Sequence, residues 1–127
     1  MRYVETADKD FFLSRVCLGT IQLCGMEETG AFQLLDAYRV LGGNFIDSAN
    51  VYGKWLPEGK NEADLLLGKW LKSRGCRHEM ILAGKGGHPN LQTFSIPRLD
   101  KKAVEQDLDE SLRAMGVESL DIFYLHR

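Results

Sequence analysis

The 127-residue chain has the length of one domain and ordinary globular proportions, with 44% hydrophobic and 27% charged residues. A formal net charge of -2 gives no electrostatic case for nucleic acid or an anionic membrane as a partner. Three cysteines without CxxC spacing argue against a disulfide framework or a zinc site, and the lack of a signal peptide or an apolar run of ~18 residues predicts a soluble, cytoplasmic protein.

Short apolar runs alternate with amphipathic segments from the start of the chain. Residues 15–20 predict a strand, and residues 27–41 predict a helix that a glycine pair ends. A second strand over residues 44–48 leads through a loop with glycine and proline to a helix over residues 61–74. The order so far is strand, helix, strand, helix.

The second half repeats this order. A third strand is predicted over residues 80–85, and after a long loop Asp100 is a plausible N-cap for a helix that runs to Met115. The fourth strand covers residues 120–126. The apolar faces of the three helices comprise Leu34, Leu35, Tyr38 and Leu41; Ala63, Leu66, Leu67 and Trp70; and Val104, Leu108, Leu112 and Met115.

Strands joined by helices are the signature of a parallel sheet with right-handed crossovers. The sequence therefore predicts an α/β fold in which four parallel strands alternate with helices. It shows no domain linker, so residues 1–127 are treated as one unit. The loops over residues 50–60 and 86–99 leave the carboxyl ends of strands, which is the side on which barrel enzymes build their active sites.

Four polar residues stand at or just after the carboxyl ends of predicted strands: Asp47, Tyr52, Lys85 and His126. In a parallel barrel such positions converge on one mouth. Taken singly, each has an ordinary alternative: a turn cap, a packed loop aromatic, a solvated lysine or a core histidine. Taken together, a carboxylate, a phenol, an ammonium and an imidazole form an acid/base set.

Such a set suits the reduction of a carbonyl group. Hydride addition to the carbon develops negative charge on the oxygen. A positioned proton donor neutralises this charge and raises the reaction rate by about 10²- to 10⁴-fold. An ammonium such as Lys85 beside a phenol such as Tyr52 favours the phenolate, which makes the phenol a readier donor. Asp47 is predicted to keep the lysine charged, and His126 to orient the carbonyl oxygen or pass a proton.

Several segments of the chain resemble the aldo-keto reductase family. GGNFIDSANVYG, residues 42–53, is similar to the family signature and places Asp47 and Tyr52 in the positions of its catalytic tetrad. ILAGKGG and DESLRAMGVESLDIFYLHR resemble the segments that carry the lysine and the fourth member, here Lys85 and His126. Asn61-Glu62 followed by LLLGKWL is similar to the family's second helix. The resemblance runs from about residue 14 to the end of the chain.

The resemblance implies a function and a cofactor. In the family, Tyr52 would be the general acid/base, tuned by Asp47 and Lys85, while His126 orients an aldehyde or ketone and NADP(H) carries the hydride. Gly19 and Thr20 match a Gly-Thr pair that lies beneath the nicotinamide, and together with Asp47 they are the expected cofactor-binding residues. No metal is expected. This chain has Ile21 where the family often has tryptophan.

A barrel of this kind needs eight strands and typically ~250 residues. The chain is therefore expected to be the N-terminal half of a (β/α)8 barrel, inactive by itself, with open first and fourth strands that invite self-association. An alternative is a natural product that has lost catalysis and survives as a remnant or interaction subunit. Metal-dependent hydrolysis on a similar barrel is disfavoured, because three scattered histidines do not provide clustered ligands.

Two further residues fall in loops on the mouth side. For His88 and Cys24, contact with substrate stays open beside an ordinary loop role. Asp121 lies at the opposite end of the fourth strand, where a structural hydrogen bond is expected.

Overall fold

The computed structural model describes residues 1–7 and 11–126. An antiparallel hairpin precedes a unit in which parallel strands alternate with helices, and two short 3-10 helices cover Thr20–Leu23 and Arg77–Glu79. The strands and helices are, in chain order, β1 (Tyr3–Glu5), β2 (Phe12–Ser14), β3 (Leu18–Gly19), α1 (Glu28–Val40), β4 (Phe45–Asp47), α2 (Glu62–Arg74), β5 (Ile81–Gly86), α3 (Lys101–Met115) and β6 (Ile122–Leu125).

The last four strands form one parallel sheet in the order β3-β4-β5-β6. This arrangement confirms the predicted α/β class with four parallel strands and intervening helices. Gly19 of β3 is paired with Asp47 of β4, which is in turn paired with Ala83 of β5. Because neighbouring strands are parallel, their carboxyl ends lie along the same edge of the sheet.

The first strand of the sheet is shorter than predicted. Only Leu18 and Gly19 pair with β4, and Thr20 already begins a 3-10 helix. The backbone before them bonds elsewhere, since the Arg15 amide donates to the Arg2 carbonyl and the Tyr38 hydroxyl donates to the Val16 carbonyl. The hairpin of β1 and β2 was not predicted, and it is this hairpin that draws residue 15 away from the sheet.

The core lies between the sheet and the helices. The face predicted for α2 is confirmed, because Ala63, Leu66, Leu67 and Trp70 are all buried. On α1 the prediction is wrong at Leu41, which caps the helix end and is 69% exposed. No helix in the described ranges has both the length and the apolar character needed to cross a membrane.

The buried face of α3 is more polar than its periodicity predicted. Asp107, Ser111 and Met115 are buried, whereas Leu108 and Leu112 are only partly covered. The reason is a set of polar partners in the neighbouring loop, since Arg98 and the Gly87 amide bind the Asp107 carboxylate. The predicted N-cap is confirmed, because the Asp100 side chain accepts a hydrogen bond from the Ala103 amide at 3.0 Å.

Candidate active site

The carboxyl ends of the strands bring Lys85 into contact with two of the other predicted site residues. Asp47 ends β4, and Lys85 lies on the adjacent strand β5. The Lys85 ammonium donates to the Asp47 carboxylate at 2.6 Å, to the Ser48 carbonyl at 2.9 Å and to the Tyr52 hydroxyl at 3.3 Å. Lys85 is therefore the hub of the cluster.

The loop that follows β4 determines where Tyr52 lies. Buried Asn50 anchors this loop. Its backbone N–H donates to the Lys85 backbone carbonyl, and its side-chain amide donates to the Asp107 backbone carbonyl at 3.1 Å. The turn after Tyr52 requires glycine at residue 53, which has φ +102° and packs so closely on Glu62 that a Cβ would lie 2.6 Å from its side chain.

His126 completes the cluster directly after β6. Its ring meets the Tyr52 ring edge to face, with centroids 5.9 Å apart and planes at 87°. Burial lowers the pKa of His126, and the charges of His88 and Lys85 lower it further, while Asp47 opposes them. The four predicted side chains thus share one end of the sheet, and burial there favours the neutral form of the His126 imidazole.

On the β3 side, the two predicted cofactor residues differ in access. A Cβ built on Gly19 would meet no atom within 4 Å, so the strand end beside Asp47 is open. Thr20, by contrast, is fully buried, and its hydroxyl donates to the Ser48 hydroxyl at 2.8 Å. The Thr20 hydroxyl is therefore engaged inside the protein, and Gly19 is the residue that leaves room at the surface.

Behind the cluster lies a buried carboxyl group that sequence reasoning missed. The Ser48 hydroxyl donates to Asp64 at 2.5 Å, and Asp64 is 0% exposed. Burial raises the pKa of Asp64 to about 6, against the lowering effect of hydrogen bonds from Ser48, Ser111 and Asn61. No sequence signal marks Asp64, because it follows Ala63 on a helix whose predicted buried face is apolar.

A row of five aromatic rings runs across the mouth of the sheet: Trp55, Tyr52, His126, His88 and Phe94. Successive centroids are 5.0 to 6.4 Å apart, and every pair meets edge to face. The two outer members are open to solvent, with Trp55 47% and Phe94 62% exposed. We call this set the ring row.

The remaining predicted residues lie as follows. His88 belongs to the ring row, whereas Cys24 lies near Glu62 of α2, and burial and that carboxylate raise the pKa of its thiol to about 11. Asp121 accepts hydrogen bonds from Arg77 and from the Leu82 amide, which confirms its structural role.

The cluster of Asp47, Tyr52, Lys85 and His126 joins a carboxylate, a phenol, an ammonium and an imidazole, a combination able to hold and move a proton.

Comparison with known proteins relates this site to a family. A sequence model of the Aldo/keto reductase family matches residues 15–127. The aldo-keto reductase ausK of Emericella nidulans is 32% identical over 111 residues, which are 82% of this chain and 26% of that relative. An aryl-alcohol dehydrogenase of Phanerodontia chrysosporium, named with NADP(+), is 31% identical over 110 residues, or 80% of this chain and 27% of the relative.

A solved structure gives the same relation. The aldo-keto reductase AKR11C1 from Bacillus halodurans matches with a TM-score of 0.78 at 28% identity, covering 99% of this chain and 40% of that one. The chain thus spans about a quarter of the length of these curated relatives and 40% of the solved chain.

Proposed function

The chain belongs to the aldo/keto reductase family, and from that premise we propose that it carries the catalytic residues of an NADP(H)-dependent oxidoreductase that reduces aldehydes or ketones to alcohols. The observation that carries the proposal is the Lys85 ammonium, which bridges the Asp47 carboxylate and the Tyr52 hydroxyl. In this proposal Asp47, Tyr52, Lys85 and His126 are the catalytic residues.

Tyr52 is the proton donor. Because Lys85 donates to the Tyr52 oxygen, the phenolic hydrogen stays available for the carbonyl oxygen of a substrate. As a hydride adds to the carbonyl carbon, the electron pair of the C=O π bond moves to oxygen, which takes the Tyr52 proton and leaves a phenolate. The Lys85 ammonium stabilises that phenolate, Asp47 keeps Lys85 charged, and His126 orients the oxygen.

The proposed cofactor is NADP(H), which supplies the hydride when it is bound. The open strand end at Gly19 leaves room for a planar ring beside Asp47, which fits the nicotinamide end of the molecule. Buried Thr20 would support this surface from beneath rather than offer its hydroxyl. The NADP(+) in the name of the Phanerodontia chrysosporium relative supports the choice of cofactor.

The ring row favours aromatic carbonyl compounds as substrates. When two aromatic rings stack or meet edge to face, the pair is stabilised by about 0.5–1.5 kcal/mol in addition to the free energy gained by burying their apolar area. The exposed rings of Trp55 and Phe94 therefore offer an aromatic aldehyde contacts that an aliphatic aldehyde lacks. The name aryl-alcohol dehydrogenase of one relative points the same way.

We further propose that residues 1–127 are the N-terminal half of a (β/α)8 barrel, which the 40% share of the solved relative supports. A cytoplasmic location fits the three cysteines, Cys17, Cys24 and Cys76, which are all free. If the protein is instead an inactive remnant or an interaction subunit, it should not reduce carbonyl compounds even when it is joined to a C-terminal half.

The test is NADPH-dependent reduction of an aromatic and an aliphatic aldehyde, by the chain alone and by the chain joined to the C-terminal half of a related barrel. Tyr52→Phe should lower turnover by at least about 10²-fold and leave NADPH binding nearly unchanged. Tyr3→Phe, which removes a hydroxyl on the hairpin, is the matched control and should leave turnover unchanged.

Turnover near the wild-type value in the Tyr52→Phe protein would refute the mechanism. Absence of reduction in both preparations would favour the remnant or interaction subunit. Equal turnover of the two aldehydes would remove the aromatic preference while leaving the reductase proposal in place.

A further inference from the structure

The mouth of the sheet contains a second imidazole that the proposed reaction does not use. The His88 ring lies 5.0 Å from the His126 ring, measured between centroids, with the planes at 60°. On its other neighbour, Phe94, it packs edge to face at 5.4 Å. His88 is thus in contact with a proposed catalytic group.

His88 is itself held firmly by the loop after β5. Its Nδ1 lies 2.7 Å from the Pro89 carbonyl, and because a carbonyl only accepts, Nδ1 carries a hydrogen and donates. The Arg98 guanidinium donates to the His88 carbonyl at 2.9 Å and also binds buried Asp107. The ring and the backbone of His88 are therefore both fixed.

His126, in contrast, is oriented by packing. Its Nδ1 is buried and has no hydrogen-bond partner among the described residues. A functional histidine is normally oriented by a hydrogen bond at the ring nitrogen that faces away from the substrate. Here the described contacts of the His126 ring are the rings of Tyr52 and His88.

Besides the packing of its ring, His126 is affected by the charges of neighbouring groups. The titratable groups that act on His126 are Asp47 from β4, Lys85 from β5 and His88 from the following loop, and Tyr52 touches its ring. Asp47 is the one group of this set that favours a proton on His126, and it is bound to Lys85 at 2.6 Å. A proton on His88 would place a second positive charge beside a half-buried imidazole.

We propose that His88 is a positioning residue of this site, whose ring holds His126 against Tyr52 and, when it carries a proton, repels a second proton on His126. The consequence for catalysis rests on the proposed role of His126 in the reductase reaction. In that reaction the His88 ring would keep the imidazole that faces the carbonyl oxygen in place, and a protonated His88 would favour the neutral form of that imidazole.

The experiment is a histidine titration of the 127-residue chain, followed by NMR of the imidazole resonances. Three histidines are present, and His78, with a side chain 78% exposed, serves as the reference. His88→Phe keeps a ring but cannot take a proton, so the titration midpoint of His126 should rise toward its ordinary value without reaching it, because burial remains. His78→Phe is the matched control and should leave that midpoint unchanged.

His88→Ala tests the packing part. Without the ring, the NMR contacts between His126 and Tyr52 should weaken, and His88→Phe should restore them. If His88→Phe fails to fold, His88→Gln provides the uncharged variant for the same titration. An unchanged His126 midpoint in the uncharged variants, or unchanged His126–Tyr52 contacts in His88→Ala, overturns the proposal.

The His126 titration and the carbonyl-reduction assay can succeed or fail independently, so the role of His88 and the proposed reductase function are tested separately. A shifted midpoint together with no carbonyl reduction in either assay preparation would uphold the imidazole pair and reject the reductase. Loss of turnover in Tyr52→Phe together with an unmoved His126 titration would do the reverse. In an active preparation, His88→Phe should move the acidic side of the pH–rate profile to higher pH, which a purely structural role would not do.

Discussion

At the scale of single residues, the Lys85 ammonium has one hydrogen-bond acceptor for each of its three N–H groups. An ammonium has three N–H groups, and Lys85 has a carboxylate, a backbone carbonyl and a phenol oxygen within 3.3 Å. Its side chain is only 17% exposed, so water contributes little to its solvation. The 2.6 Å contact with the Asp47 carboxylate places an opposite charge beside the ammonium in this largely buried position.

Asp64 supplies a pH dependence that the proposed reaction does not need. Because burial raises its pKa from 3.8 to about 6, the folded state binds this proton more tightly than the unfolded state does. The folded state should therefore lose stability as pH rises from about 4 through about 6, by about 3 kcal/mol in total from this group. Above about pH 6 this effect is constant.

The check is the free energy of unfolding as a function of pH for Asp64→Asn, measured with urea. Asparagine does not titrate, so the stability of Asp64→Asn relative to the wild type should rise between about pH 4 and pH 7 by the amount lost by the wild type. Asp109→Asn on the exposed side of α3 should run parallel to the wild type. Parallel curves for Asp64→Asn as well would show that Asp64 has an ordinary pKa.

At the scale of elements, the packing of α2 on α3 depends on the absence of a side chain at Gly68. A Cβ there would lie 2.5 Å from the Cα and the carbonyl oxygen of Met115. These are backbone atoms, so relief would require the two helices to move apart. Gly68 therefore sets the distance between α2 and α3, and with it the position of the Asn50 anchor on Asp107.

Gly68→Ala should destabilise the fold by about 1–3 kcal/mol through overpacking, although alanine is normally the better helix former. Gly30→Ala in α1 is the matched control, since its Cβ would meet only the flexible end of Met26 at 3.4 Å. That variant should be stabilised by up to about 1 kcal/mol. Thermal unfolding of both variants checks the prediction, which a stabilised Gly68→Ala protein would contradict.

At the scale of the whole molecule, the described sheet has two open edges. β3 and β6 each have one neighbour in the strand order, so one side of each strand has backbone groups without a partner strand. On β6, Tyr124 is 44% and Leu125 64% exposed. An apolar strand at an open edge is a template for pairing with another chain.

We therefore expect the purified chain to self-associate, with β6 as part of the contact. Leu125→Lys should lower the mass in solution toward that of the monomer, because a charged edge opposes strand pairing. Val40→Lys, which adds the same charge at a residue of α1 that is 85% exposed, should leave the mass unchanged. Sedimentation at increasing concentration is the measurement, and a wild-type chain that stays monomeric throughout would contradict the expectation.

The sequence by itself determined the fold class, the order of the main elements and the four polar residues at the strand ends. These follow from local information. Apolar runs and helical periodicity mark strands and helices, and a polar residue such as Asp47 at the end of a strand has its place at the sheet edge through chain connectivity alone. The catalytic and cofactor roles assigned to these residues remain proposals.

Only the tertiary structure decided which side chains meet across large distances in the chain. The Ser48–Asp64 hydrogen bond and the pair of His88 with His126 are of this kind. The polar face of α3 and the hairpin that shortens the first strand of the sheet likewise became visible only in the folded chain. Periodicity gives the face on which a residue lies but not its partner on another element. A buried carboxyl such as Asp64 is stable only because hydroxyl and amide donors from other parts of the chain surround it, and that supply exists only once the chain has folded.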